Sequence, residues 1–520
     1  MAKPIIKLSL IDKAVSYFNP EKGLRRVRAK AQMSMLQGSG YVSSNTSSRT
    51  MRGWGVSSGD SDTDDTMEAP TLRQYSRDLY RNNPLATGAL DTIMINVVGS
   101  GLILQSQIDG DFLGMTIEEV NAWQKKTERE FHLWASRKEA DASRKLNFYE
   151  MQSVSYLSML MSGDVFATLP YIKRQTTPYE LALQILEADM VSNKDNEADS
   201  ISLMGGIKTN GYGEPIEYHV SKAHPGNINS YAGKNEWVVV PAFGSKTGRK
   251  NVIHMFETKR PNQRRGIPVL APVIESLKQV GRYTEAELMA AVVSGMFTVF
   301  VKSENGELDD DMPSTQKIDT DDRSFELGNG SVIGLAPGES IETSNPGRPN
   351  TAFDPFVVAI LRQVGAGLQV PYELLIKHFT ASYSASRAAL LEAWKSFKMR
   401  REFVARNFCQ PVYEEFLMEA ILKGRISAPG FFKDAGIRQA YCNSAWNGTA
   451  QGQLNPVNET TASIAKIESG LSTREKEAIE INGSDFYSNI TRAKEETRLM
   501  YESGLKEKEI KNEASVNSDK

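Results

Sequence analysis

Between Thr71 and Val97 apolar residues return at steps of three and four. Leu72, Tyr75 and Leu79, then Leu90, Ile93 and Val97, have the period of a helix with one buried face. Asn83-Pro84 interrupts the run and Gly99-Ser-Gly101 ends it. In TIEEVNAWQKKTEREFHLW, Thr116 and Glu119 form a capping box, while Ile117, Val120, Trp123, Thr127, Phe131 and Trp134 trace one face. A second box, Asn147 with Glu150, opens FYEMQSVSYLSMLMSG, which Gly163 closes. From Asp164 to Phe256 the pattern changes to short β-prone runs, and Asn210-Gly211 between two of them predicts a hairpin.

Pro268 and Pro272 mark the next helix start, and Val273, Leu277, Val280, Leu288 and Val292 extend an apolar stripe. Residues 296–352 are short β-prone pieces rich in Gly, Pro and Asp, after which FDPFVVAILRQVGAGLQ is helical again. Two helical segments thus flank an acidic insertion. HFTASYSASRAALLEAWKSF follows, leading into a helix with Leu390, Trp394, Phe397, Val404 and Phe408 on one side. Pro411 is expected to kink or restart it. Short helices follow Asn455, with Thr460 as a cap, and the tail beyond Gly504 is charged. Residues 36–70, rich in Ser, Gly, Thr and Asp around Trp54, read as a flexible arm. The class is α+β.

Composition adds bounds. At 520 residues the chain has room for two or three domains or one elongated subunit. A net charge of −3 favours neither nucleic acid nor an anionic membrane in bulk, but the charge is uneven. Residues 1–59 hold ten Lys and Arg against Asp12 and Glu21, with Asp60, Asp62, Asp64, Asp65 and Glu68 next. A second acidic block runs from Glu304 to Glu326. Two cysteines, Cys409 and Cys442, make no disulfide framework, which points to a reducing compartment. No run has membrane-spanning length, and MAKPIIKLSLIDK lacks a cleavage pattern, so use in a cytoplasm without membrane contact is expected.

Candidate chemistry is sparse. A nucleophilic serine needs a base and an oxyanion site, and the Gly-x-Ser-x-Gly and Ser-x-x-Lys patterns are absent around Ser382, Ser384 and Ser386. Serines ahead of an Ala-Leu-rich run suit a helix N-terminus, with Ser384 or Ser386 accepting orphan N–H groups. His132, His219, His224, His254 and His378 fit no zinc spacing. GNGSVIG and GSKTGRK miss the dinucleotide and P-loop patterns, so no cofactor is expected. Asp309, Asp310, Asp311, Asp321 and Asp322 lack the spacing of a calcium loop and read as a solvated acidic surface. Lys395, Lys398, Arg400, Arg401 and Arg406 lie mostly off the apolar face of their helix. If that helix lined a DNA path, they would offer sequence-blind phosphate contacts.

Four stretches resemble the portal proteins of tailed bacteriophages, specifically the lambda-type family. They are SRDLYRNNPLATGALDTIMINVVGSGL (76–102), RPNQRRGIPVLAPVIESLKQVGRYTEAELMAA (260–291), the segment from PGESIETSNPGRP to SRAALLEAW (337–394) and FCQPVYEEFLMEAILKGRI (408–426). They occur in the family's order across most of residues 70–505.

The resemblance implies a ring, usually of twelve copies, at one capsid vertex of the virion, assembled in the host cytoplasm. Double-stranded DNA would pass through its channel in packaging and ejection, without sequence readout. The terminase large subunit, the major capsid or scaffolding protein and head-completion or connector proteins would be partners. The implied organisation starts with a mixed α/β wing over 71–265; the N-terminal basic, Ser/Gly-rich arm over 1–70, expected to be partly disordered, lies outside the resemblance. A helical stem at 266–294 and 353–375 would flank a small α/β clip at 295–352. A tunnel loop at 376–386 would precede a channel-flanking helix and wing return over 387–454. A helical crown at 455–505 and a disordered tail at 506–520 would complete the chain. The family carries no catalytic residues, so the protein is expected not to be an enzyme. What transfers is position: Lys377, His378 and Ser382 on the DNA-facing loop, with Lys395, Lys398 and Arg401 as channel-side cations and Asp309, Asp310, Asp311, Asp321 and Asp322 on the clip surface. The alternative is a virion-maturation hydrolase using a serine or metal site.

Overall fold

The computed structural model describes residues 10–37, 51–56, 58–227, 236–295, 299–303, 339–343, 352–379, 382–451, 455–483 and 486–505. They fall into two compact units, Met1–Asp60 and Ser61–Lys520.

The first unit is built on two helices, α1 (Leu10–Phe18) and α2 (Pro20–Gln37). They cross closely because position 23 is glycine: a Cβ there would stand 2.4 Å from Ser16 Oγ and 2.6 Å from its Cα. Asp12 is buried at the crossing, where Arg26 Nε donates to it at 3.3 Å and Lys30 pairs with its other oxygen. This ordered pair of helices lies almost wholly N-terminal to the Ser/Gly-rich stretch 36–70 that composition marked as flexible.

The second unit begins earlier than the sequence pattern placed it. A π turn at Asp62–Thr66 leads directly into α3 (Ala69–Asn82). The acidic run is held in place, with Asp64 paired to Arg260 at 2.9 Å and Asp62 to Arg264 at 2.8 Å. Asn83 then caps α4 (Pro84–Val97), its Oδ1 accepting the N–H groups of Leu85 and Ala86 at 3.0 and 3.2 Å. Pro84 fits the first helical position because that N–H would be an orphan in any case.

The chain continues through β1 (Ile103–Ser106), α5 (Gly110–Leu113), α6 (Ile117–Ala135) and α7 (Phe148–Ser162). Both capping boxes form as expected, on Thr116 with Glu119 and on Asn147 with Glu150. The strands are β2 (Asp164–Thr168), β3 (Gln184–Glu187), β4 (Leu203–Met204), β5 (Ile207–Thr209), β6 (Pro215–Ser221), β7 (Trp237–Pro241) and β8 (Val252–Phe256). They make two antiparallel sheets of order β3-β2-β8 and β4-β5-β6-β7. Phe166, Leu186, Val191, Ile207, Tyr218, Val220 and Val252 pack between them. The expected hairpin joins β5 to β6 through a longer loop: Asn210 Oδ1 accepts from Tyr212 and Glu214 N–H, and the left-handed residue is Gly213.

Helices α8 (Ile274–Gly295) and α9 (Phe353–Leu368) follow, with β9 (Val299–Ser303) and β10 (Glu339–Thr343) pairing antiparallel between them. Tyr283 stacks on Phe353 at 5.5 Å and meets Phe356 edge-on at 5.2 Å. Val273, Leu277 and Val280 are buried, whereas Leu288 (64% exposed), Met289 (57%) and Val292 (46%) are not, so the expected stripe divides into a covered and an open half. The acidic residues Asp309, Asp310, Asp311, Asp321 and Asp322 lie outside the described residues.

The remaining elements are α10 (Tyr372–Leu375), α11 (Tyr383–Val404), α12 (Gln410–Leu422), α13 (Ala435–Cys442), β11 (Ser444–Asn447), α14 (Pro456–Glu468), α15 (Arg474–Asn482) and α16 (Phe486–Glu502). Between α11 and α12 a π turn at Ala405–Cys409 takes up the proline: Gln410 N–H donates to Ala405 O, five residues back. Pro411 lacks an N–H and its ring would strike a carbonyl four residues earlier, so the widened turn accommodates it. Asn455, rather than Thr460, caps α14. The main core is aromatic, with Phe131, Trp134, Phe148, Phe408, Tyr413 and Phe416 buried together. Such edge-to-face rings add specificity beyond area burial, as where Phe131 meets Phe416 at 5.1 Å and 88°.

Candidate nucleic-acid interface

The segment from Gln369 to Val404 is an elbow whose fixed parts are set by packing and whose tip is exposed. Gln369 ends α9 in the left-handed region (φ 57°), and Val370 N–H donates to Gly365 O at 2.9 Å. Only glycine suits position 365, since a Cβ would stand 2.6 Å from Val370 O. Leu375 is buried and fixes the short α10, after which Lys377 takes a left-handed φ of 56°. His378 N–H donates to Glu373 O at 3.1 Å. Lys377, His378 and Phe379 are all exposed.

Ser382 begins α11. Its Oγ accepts Ala385 N–H at 3.5 Å and lies 3.2 Å from Ser384 Oγ. Capping therefore falls to Ser382, not to Ser384 or Ser386, because the helix starts one turn earlier than the Ala-Leu run suggested. The partners on Ser382 Oγ are an amide and a hydroxyl, neither of which can act as a general base.

Helix α11 turns Ala393, Phe397, Arg400 and Val404 into the core. Of the expected channel-side cations, Lys395 and Lys398 are exposed, pairing with Glu392 at 2.8 Å and Glu480 at 3.5 Å. Arg387 and Arg406 likewise face Glu459 and Glu402. Arg401 is different: its guanidinium donates to the carbonyls of Val97 (2.9 Å), Asn96 (2.9 Å) and Thr449 (2.8 Å). It also lies over the Trp394 ring at 5.1 Å. Two of those carbonyls end α4, where helical partners run out and the dipole favours a cation. Arg401 is thus spent on the fold. Beside it a cleft of about 810 Å³ opens, lined in part by Gln105, Lys398, Arg406, Trp446, Lys476 and Glu480.

A second constellation escaped sequence reasoning. Asp164, wholly buried at the start of β2, accepts from Arg265 Nε at 2.6 Å and Nη2 at 3.2 Å. It also faces Arg73 at 3.6 Å and His254 Nε2 at 3.3 Å. Arg265 donates further to the carbonyls of Ala188, Val191 and Gly205, and Arg73 to Ser162 O. Burial opposes ionisation of Asp164, but the Arg265 and Arg73 charges and the His254 hydrogen bond outweigh it and hold the carboxyl well below its ordinary range. Burial likewise lowers His254, against the pull of Asp164, so the ring is neutral at pH 7. It is stacked between Phe166 and Phe256 at 4.1 and 4.4 Å. The signals available were Asp164 heading an apolar run and Arg265-Gly266 preceding another, though nothing in the spacing joins them.

Among the described residues, Glu187, Asp189 and His224 bring three ligand-type atoms together. Arg77 already pairs with Asp189 and with Glu187 at 2.5 and 3.3 Å, so a guanidinium supplies the positive charge there. Cys409 and Cys442 are free and buried, and burial pushes the Cys442 thiol up to about 12. No described helix is long and apolar enough to cross a membrane.

Comparison with known proteins gives consistent matches. The family model for phage portal proteins of the lambda family matches residues 47–401. The portal protein of Escherichia phage N15 is 27% identical over 471 residues, covering 84% of this chain and 85% of the relative. Portal protein B of Escherichia phage lambda is 26% identical over 473 residues, covering 85% and 87%. Among solved structures, a chain from the virion of a native gene transfer agent particle aligns with TM-score 0.43 at 12% identity, covering 79% of this chain and 92% of that one.

Proposed function

The chain belongs to the lambda family of phage portal proteins, and from that structural role we propose how its parts serve it. The protein forms a closed ring, of twelve copies, at one vertex of the capsid, and double-stranded DNA moves through the ring's axis during packaging and ejection. The observation that carries this reading is the family match across residues 47–401. Helices α8 and α9 act as the stem, residues 71–265 as the wing, the insertion between the two helices as the clip, and α14–α16 as the crown.

The open half of α8 supports the ring. Leu288, Met289 and Val292, with Phe356 of α9, leave apolar surface in water that a neighbouring copy would cover. The elbow supports the conduit. Lys377, His378 and Ser382 sit on an exposed tip between two rigidly packed helices, where they touch passing DNA. The cations of α11 support weak contact, since Lys395 and Lys398 each have a carboxylate partner and offer little net attraction to phosphate. Conduction needs such weakness, because a strongly held duplex would not move. The terminase large subunit, capsid or scaffolding protein and head-completion proteins dock on the ring, in virions assembled in the host cytoplasm. The protein performs no catalysis of its own, with Ser382 occupied as a helix cap.

Negative-stain imaging with mass measurement of the purified full chain tests the reading. Rings of uniform subunit number are expected; monomers or dimers alone at high concentration would overturn it.

A further inference from the structure

Charge is divided sharply between the two units. Met1–Asp60 carries net +7, so Ser61–Lys520, on a total of −3, carries −10. At long range the larger unit therefore repels any polyanion and the N-terminal unit alone attracts one. We propose that the helical pair α1–α2 is a duplex-DNA-binding element that grips the phosphate backbone independently of the loop at 376–386.

The geometry of α2 supports this. Arg26 and Lys30 are consumed by the buried Asp12, which clamps α2 against α1. Lys22, Arg25 and Arg28 are exposed and recur every third residue, so they fan along one side. Lys22 and Arg28 have no ion pair among the described residues. Arg25 pairs with Glu21 at 3.3 Å with both side chains about four-fifths exposed, a pair worth little that a phosphate can replace. The three cations span about 9 Å of helix axis, a length over which duplex DNA presents roughly five phosphate charges. Gly23, against Ser16 of α1, and the partly buried Val27 account for the less exposed side of α2. The choice of DNA among polyanions rests on the portal reading above.

The test is anisotropy of a labelled random-sequence duplex titrated with the full chain, from about 50 to 200 mM salt. Triple substitution Lys22→Gln, Arg25→Gln, Arg28→Gln should lower the magnitude of the log K against log salt slope by about three and weaken binding at least about tenfold at low salt. The exchange Lys22→Arg, Arg25→Lys, Arg28→Lys should retain both, since phosphate neutralisation needs charge rather than shape. An unchanged slope in the Gln variant overturns the proposal. So does loss of binding in the exchange variant, or loss confined to phosphatidylserine vesicles with duplex binding intact. Circular dichroism and ring imaging of the same preparations separate these outcomes from failure to fold. Missing rings would instead sink the portal reading.

Discussion

The junction around Asp164 and the outer surface of α11 both bring acids and bases together, yet they do opposite things. At the junction a carboxylate with no solvent access meets two guanidiniums and an imidazole, and the arginines reach four backbone carbonyls. On α11 each lysine meets one carboxylate with both partners in water, as for Lys398 (56% exposed) and Glu480 (44%). Removing one partner from a buried pair strands a charge where water cannot reach it, whereas surface partners return to water at little cost. The first arrangement welds the β sheets to α3 and α7, and the second leaves a surface free to exchange partners.

The largest effect that should separate them is Asp164→Ala, which strips the buried Arg265 of its carboxylate, leaves Arg73 with Asp189 alone and should cost about 3–5 kcal/mol in urea unfolding. A loss below about 1 kcal/mol would erase the contrast. Next is Arg401→Lys, which gives up a fork shared among three carbonyls and should cost about 1–3 kcal/mol. Hydrogen exchange should speed up at the α4–α11 contact while DNA affinity stays the same; weaker DNA binding with normal exchange would return Arg401 to the channel-side set.

Acid sensitivity sharpens the junction side. His254 binds its proton less readily folded than unfolded, so the unfolded chain takes up that proton first as pH falls below about 6.5. Stability should therefore decline below that pH, by at most about 1.4 kcal/mol per pH unit from this group. Asp164, with a depressed folded value, contributes stability that is present above about pH 4 and lost progressively below it. His254→Gln should flatten the upper window and spare the lower one, as read by urea midpoints; an unchanged upper window would assign that decline elsewhere.

The smallest effects are on the surface. A double-mutant cycle on Lys398 and Glu480 should give a coupling under about 1 kcal/mol, fading with salt. Ser382→Ala should loosen the start of α11 by about 0.5–1 kcal/mol, the low side for a cap because its bond is long, without abolishing any hydrolysis. A serine-dependent turnover would instead revive the hydrolase alternative.

Local rules were the legible part of this chain. Thr116 with Glu119 and Asn147 with Glu150 announced their helices, because a cap is settled within four residues. Where neighbours further along decide, the pattern misled. Tyr75 keeps the helical period of its neighbours but is exposed, and the serines of the elbow did not reveal which one caps. The family was legible in 76–102 and 260–291, although the reason those stretches matter was not. Arg73 lies just before the first of them and Arg265 within the second.

By itself, then, the sequence determined the capped helices, the β-prone character of residues 164–256, the uneven charge and the family, because periodicity, capping and composition act over short separations. Tertiary structure alone decided which charges are structural. Asp164 meets Arg265 across 101 residues, and Arg401 meets Val97 across 304. A charge becomes part of the fold only when distant chain excludes water from it, and water exclusion is a property of the packed molecule, not of any segment.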